Sequence, residues 1–143
     1  MVEQRTKEQI LRLLDQGFTV GITGGATGYD LLSLRLLIEI RNEHKELQIW
    51  GVFPFSGYDS KWTLAQREEY AALIPQLDKL VYTVPADKAS SEAFLERNRK
   101  MVEGSSVLIC YYNENRRRSG TGQCVRYAQK LGLEVINIAN SLR

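Results

Sequence analysis

The sequence predicts a doubly wound α/β domain of the Rossmann type, with a mostly parallel sheet and helices on both faces. Apolar runs of strand length alternate with helical patterns along the whole chain. The strand runs are apolar throughout rather than alternately polar, as expected for strands covered by helices on both sides. Size agrees: 143 residues, 43% hydrophobic and 25% charged, can bury one proper core. Residues 1–143 therefore read as one domain, with no repeat, linker or low-complexity segment.

The elements follow in order. Residues 4–16 place Ile10, Leu11, Leu13 and Leu14 on one side of a helix that ends at Gly17. Phe18–Thr23 is a short strand. Tyr29–Glu43 is a leucine-rich, largely buried helix. Gln48–Phe53 (QIWGVF) is a strand closed by Pro54. Leu64–Leu73 is helical, with Pro75 after it. Lys79–Val84 is a strand closed by Pro85. Ser91–Val102 is a helix stopping at Gly104, with Phe94, Leu95, Met101 and Val102 as its inward stripe. Val107–Tyr112 (VLICYY) is a strand, and Asn113–Ser119 a polar, basic loop. Thr121–Leu131 is a helix ended by Gly132, and Glu134–Ile138 is the last strand.

Composition removes several functions. The net charge of +2 lacks the basic bias of a dedicated nucleic-acid binder. No apolar run is long enough to span a bilayer and no signal peptide opens the chain, so a cytoplasmic setting without membrane partners is expected. Cys110 and Cys124 read as buried free thiols. With one histidine, His44, a zinc site is not expected, and no cofactor or metal is implied.

Ligands of doubly wound sheets bind beyond the carboxyl ends of the strands. Three segments with special residues follow strands here. The first is the corner Thr23-Gly24-Gly25-Ala26-Thr27-Gly28-Tyr29-Asp30. Its glycines allow positive φ and close backbone approach, and the helix N-terminus behind them favours an anion. Asp30 is suited to a ribose hydroxyl. The plain alternative is a tight turn with Asp30 as a partner of the helix dipole. The second is Ser119-Gly120-Thr121-Gly122, again opening a helix and suited to an anion nest, beside Arg116, Arg117 and Arg118. The alternative there is a solvated basic loop with a Ser/Thr cap. The third is Pro54–Trp62, where Tyr58 and Trp62 offer a base-stacking plane and Lys61 a phosphate contact. Trp62 as a core anchor explains the same residue equally well. Arg97 and Asn98, in the helix before VLICYY, suit phosphate recognition through the guanidinium fork. Spacing alone favours a solvent-facing charged helix at that place.

Taken together, these residues resemble the SLOG superfamily, which groups the Smf/DprA proteins with the LOG nucleotide hydrolases, and above all its YpsA-like branch. Gly25, Gly28 and Asp30 look like its Gly-x-x-Gly-x-Asp corner. Arg97 in RNRKM looks like its helix arginine. Pro54, Phe55, Lys61 and Trp62 are similar to the YpsA-like branch, and SGTG to the second glycine loop. The resemblance runs from about Ile10 to Ile138. It implies a Rossmann-like fold, a pocket for nucleotides or nucleotide-derived ligands, and a homodimer. It also implies a strand ahead of the opening helix. In this chain the helix comes almost at once, so that strand is missing, truncated or supplied by a partner.

One departure bears on chemistry. LOG hydrolases carry a glutamate three residues after the threonine of their Gly-Gly-x-Gly-Thr motif. Here Gln123 replaces the threonine and Arg126 the glutamate. The favoured expectation is thus a sensor or ligand-handling module that binds a nucleotide-like molecule. A nucleoside monophosphate N-glycosidase comes second, with Asp30 and Arg97 as the candidate catalytic residues. A DprA-like single-strand binder using Arg116–Arg118 comes third.

Overall fold

The computed structural model describes residues 1–113 and 120–139. Ser119 and Arg116–Arg118 lie outside the described residues. Five helices and five strands alternate among those described. They are α1 (Val2–Asp15), β1 (Val20–Thr23), α2 (Tyr29–Arg41), β2 (Gln48–Phe53), α3 (Leu64–Leu73), β3 (Lys79–Tyr82), α4 (Glu92–Glu103), β4 (Val107–Cys110), α5 (Gly120–Lys130) and β5 (Glu134–Asn137). Single 3-10 turns at Ile74–Gln76 and Ala86–Lys88 fill the connections around Pro75 and Pro85.

The helices form where apolar residues recur on one side. In α1, Thr6, Ile10 and Leu13 are buried at i, i+4 and i+7. In α2, Leu31, Leu34, Leu37 and Ile40 do the same over three turns. The α3 helix starts at a capping box. Thr63 accepts from the Gln66 amide, and the Gln66 side chain accepts from the Thr63 amide. On β2, Ile49, Gly51 and Phe53 point to the buried side. Ile49 joins the α2 leucines, Ile10, Leu47 and Leu73 in the larger core. A smaller core gathers Val102, Cys124 and Ala128, with Met101, Leu108 and Val135 packed against it.

Every strand pair is parallel, so the α/β, Rossmann-like reading holds. The strands do not form one continuous sheet, however. One sheet has the order β1-β2-β3 and the other contains β4 and β5. The two run the same way. At the carboxyl ends, Tyr29, just past β1, meets Tyr111, just past β4, with ring centroids 6.1 Å apart. At the opposite end, Arg12 of α1 pairs with Glu134 at the start of β5, at 3.7 Å. The expected full cover of every strand is approached most nearly at β2, where Ile49, Gly51 and Phe53 are buried and Trp50 and Val52 half-buried. The residues of β1, β3, β4 and β5 are mostly half-buried or exposed, because each of these strands borders a free sheet edge. The α4 stripe is also rotated from expectation. Ala93, Arg97, Asn98 and Val102 face inward, whereas Phe94 and Leu95 are exposed.

Candidate ligand site at the rim of the sheet

The corner after β1 is built largely from its own polar atoms. Thr23 Oγ1 accepts from the Gly25 amide at 3.2 Å, and Asp30 Oδ2 accepts from the Ala26 amide at 3.1 Å. Gly25 and Gly28 take φ of 72° and 80°, the left-handed region that glycine enters without strain. Gly24 is needed for a different reason. A Cβ there would fall 2.9 Å from Arg97 Nη1 and 3.1 Å from Asp30 Oδ2. The missing side chain lets a guanidinium and a carboxylate close on one backbone position.

Arg97 reaches this corner from α4. Its Nη1 donates to the Gly24 carbonyl, and its Nε donates to Asn98 Oδ1 at 2.8 Å. Asn98 Nδ2 in turn donates to Gln123 Oε1 of α5 at 3.5 Å. One chain of contacts thus links the β1 corner, α4 and the start of α5. Arg97 and Asn98 are 6% and 8% exposed, which removes the solvent-facing reading of this helix. Burial pushes the Arg97 guanidinium down from its ordinary value, and neighbouring Asp30 holds it back up. Burial pushes the Asp30 carboxyl up, against the pull of the Ala26 amide and of Arg97. Asp30 and Arg97 thus each offset part of the other's burial, with the Ala26 amide adding to the pull on Asp30.

A cavity of about 770 Å³ opens beside this cluster. Of the residues singled out in the sequence, Thr23, Gly24, Tyr29 and Asp30 border it from the β1 side. Arg97 and Asn98 border it from α4, and Gly120 and Thr121 from α5. The other predicted residues lie apart from it. Gly25 and Gly28 shape the corner behind the wall. Pro54 is fully buried at the end of β2. Tyr58 is 8% exposed and donates its hydroxyl to the Gly25 carbonyl at 2.7 Å. It also packs edge-on against Trp62 and Tyr70, next to Phe53. Trp62 shares that aromatic cluster and packs against the larger core. Tyr58 and Trp62 therefore buttress the corner from behind, and burial pushes the Tyr58 phenol up, further from ionisation. Lys61 is exposed and Gly122 is buried in the first turn of α5, neither on the cavity wall.

Cavity residues that the sequence did not offer as site candidates include Thr6, Cys110 and Cys124. Thr6 of α1 is 1% exposed and hydrogen-bonds the Tyr29 hydroxyl at 2.7 Å. Its place one turn before Ile10 was the available signal. Cys110 and Cys124, buried free thiols as expected, also line the wall. Burial pushes them up to about 12 and about 11, so neither supplies a thiolate at neutral pH.

Fold and rim define a Rossmann-like α/β domain with two glycine-bearing segments beside one cavity. The family model described as the YspA SLOG family (YpsA) matches residues 1–138. The chain belongs to that family. Curated relatives include UPF0398 proteins of Staphylococcus aureus strains JH9, JH1 and USA300, each 25% identical over 118 residues. The match covers 82% of this chain and 63% of each relative, so the chain spans less than two thirds of the length of the curated relatives it matches. Among the described residues, no helix is long and apolar enough to cross a membrane.

Proposed function

We propose that the rim binds a nucleotide or a nucleotide-derived anion, making the domain a sensor or ligand-handling module. The observation that carries this reading is the meeting of the β1 corner, Arg97, Asn98 and the amino end of α5 on one cavity wall. In this reading the Gly120–Thr121 end of α5 and the Arg97 guanidinium face the phosphate. The backbone N–H groups of a helix start favour negative charge there. Asp30 faces a ribose hydroxyl. Membership of the SLOG family supports a nucleotide-related role. The base has no stacking partner in Tyr58 or Trp62, whose rings are already packed against each other. Tyr29 and Tyr111, both on the cavity wall, take that place.

The test is a thermal-shift titration with nucleoside monophosphates, cyclic nucleotides and ADP-ribose. A ligand at about one hundred times its Kd stabilises a protein by about 2.7 kcal/mol, so a clear rise of the unfolding midpoint with one of them is expected. No rise with any of them at millimolar concentration overturns the proposal.

The N-glycosidase reading has one favourable observation, a cavity-wall carboxyl whose proton affinity is raised by burial. Glycoside cleavage in its usual form uses two carboxyl groups flanking the bond. Asp30 is the one acidic side chain among the described residues on this wall. Binding therefore ranks first. Release of free base from a nucleoside monophosphate would reverse that order.

A further inference from the structure

The two tyrosines at the rim come from opposite halves of the molecule and are held in different ways. Tyr29 opens α2, and its hydroxyl is 2.7 Å from Thr6 Oγ1. Thr6 is buried on the same side of α1 as Ile10 and Leu13. A valine has the same shape, and a hydroxyl sunk among apolar side chains is costly unless it has a partner. The partner is Tyr29, so the bond ties down the tip of a ring on the cavity wall. Tyr111 is fixed at its backbone instead. On one side, the Cys110 carbonyl accepts from the Ile138 amide at 2.8 Å. On the other, Asn137 Oδ1 accepts from the Tyr112 amide at 3.0 Å, and Asn137 Nδ2 donates to the Tyr112 carbonyl at 2.9 Å. A side-chain amide, with its donor and its acceptor, thus prolongs the β4–β5 pairing past the last strand residues. Between these two anchors the Tyr111 ring is exposed and meets Tyr29 with centroids 6.1 Å apart and planes tilted by 36°. That tilt is neither a parallel stack nor an edge-on contact, the two arrangements in which aromatic pairs hold each other best.

We propose that Tyr29 and Tyr111 form a clamp that takes the base of the ligand between them, with Thr6 as the residue that positions its fixed side. This rests on the nucleotide reading above and deepens it: the ligand carries a flat aromatic base, and a bare sugar phosphate is selected against. A base held between two rings needs them about 7 Å apart, two contacts of roughly 3.5 Å. The centroids stand at 6.1 Å, so an opening of about 1 Å admits one. Tyr111 supplies that opening, because an exposed side chain changes rotamer within nanoseconds while its anchored backbone stays in place. Tyr29 stays on Thr6. The clamp therefore has one fixed and one moving side, and it spans the seam between the sheets.

The test compares calorimetric affinities for ribose 5-phosphate with those for AMP, GMP, CMP, UMP, cyclic AMP and ADP-ribose. At least one base-bearing probe should bind about tenfold or more tighter than ribose 5-phosphate. Tyr111→Ala should bring that ratio close to one. Thr6→Val and Tyr29→Phe each delete one hydroxyl of the Thr6–Tyr29 pair and keep the shape of the side chain. Each should lower the ratio about threefold, the double variant no further, and Thr6→Ser should restore it. If Thr6→Val moves the unfolding midpoint but not the ratio, Thr6 serves the fold alone and its positioning role is overturned. Additive losses in the double variant overturn that role too, since the two hydroxyls would then act separately. A wild-type ratio near one, or a ratio that survives Tyr111→Ala, overturns the clamp and leaves the phosphate and ribose contacts of the rim reading standing. Binding of none of these probes at millimolar concentration overturns that reading, and the clamp with it.

Discussion

The two sheets differ in how they are held. The three-stranded sheet rests on nine buried apolar residues from α1, α2, β2, α3 and Leu47. Behind its carboxyl edge lies the aromatic cluster of Phe53, Tyr58, Trp62 and Tyr70. The two-stranded sheet has a buried core of three small or medium residues, Val102, Cys124 and Ala128. Among the described residues, polar links between the halves lie at the rim, where Arg97 bonds Gly24, and at Arg12–Glu134. The candidate site therefore sits on the seam between a strong half and a weak half. A ligand that bridges the seam would stabilise the weaker half most.

The largest effect is expected from the strong core. Leu34→Ala removes a side chain that is 0% exposed and should cost about 2–5 kcal/mol, read as a fall in the urea midpoint. Val102→Ala, in the small core, removes two carbons and should cost about 2 kcal/mol or less. Exchange protection should fall throughout after Leu34→Ala. After Val102→Ala it should fall mainly in β4, α5 and β5. Uniform loss in both variants would mean that the halves unfold as one unit, and the contrast between them would fail.

Next come the two glycines of the β1 corner. At Gly25 a Cβ would lie 2.3 Å from Tyr58 Oη and 2.4 Å from Phe53, and φ is positive as well. Gly25→Ala should cost about 2–3 kcal/mol and shift the corner. Gly28 has the same sign of φ but open space around it. Gly28→Ala should cost about 1 kcal/mol and leave the Tyr58–Gly25 bond in place. Equal costs would mean that backbone conformation alone decides, and that the aromatic buttress is not rigid.

Arg97→Lys probes the seam itself. Lysine keeps the charge but cannot hold Gly24 and Asn98 at once with a planar fork. Losing one such bond to a charged group costs about 1.5–3 kcal/mol. Protection should drop at both the β1 corner and the start of α5, and affinity for any nucleotide found by thermal shift should weaken. A loss confined to α4 would show that Arg97 holds only its own helix in place.

Much of this arrangement was legible in the sequence. Gln48–Phe53 and Leu64–Leu73 match their observed bounds, because proline or a glutamine-bearing capping box marks their ends. The positive φ of Gly25 and Gly28 follows from what glycine alone tolerates. Two features escaped. The inward face of α4 carries Arg97 and Asn98, and a polar residue turns inward only when its partners, here the Gly24 carbonyl and Gln123, arrive from distant elements. No local pattern encodes that. Trp62 read equally as a base-stacking or a core residue, and what placed it and Tyr58 in the aromatic cluster was Tyr70, nearly two turns into α3. The gap between the sheets was hidden because strand order is a property of pairing, which apolar runs do not record.

Asp30 gives the smallest effect and the sharpest statement about the seam. Burial raises its carboxyl in the folded state, so the fold favours the protonated form. A group of this kind contributes stability that is full below its unfolded value, near 3.8, and is lost as pH rises through the raised folded value. The wild-type protein should therefore lose stability relative to Asp30→Asn as pH climbs above 3.8 through the raised folded value. Below that window the two should be nearly equal, since asparagine can still accept the Ala26 amide. Urea midpoints of both proteins across that range give the sign directly. If the wild type instead gains on Asp30→Asn as pH rises, Arg97 and the Ala26 amide already over-compensate the buried charge. The corner would then be electrostatically complete in the free protein. If the wild type loses ground, the charge is held at a cost that a hydrogen-bond donor arriving from a ligand would offset, and the seam is built to be finished by something outside it.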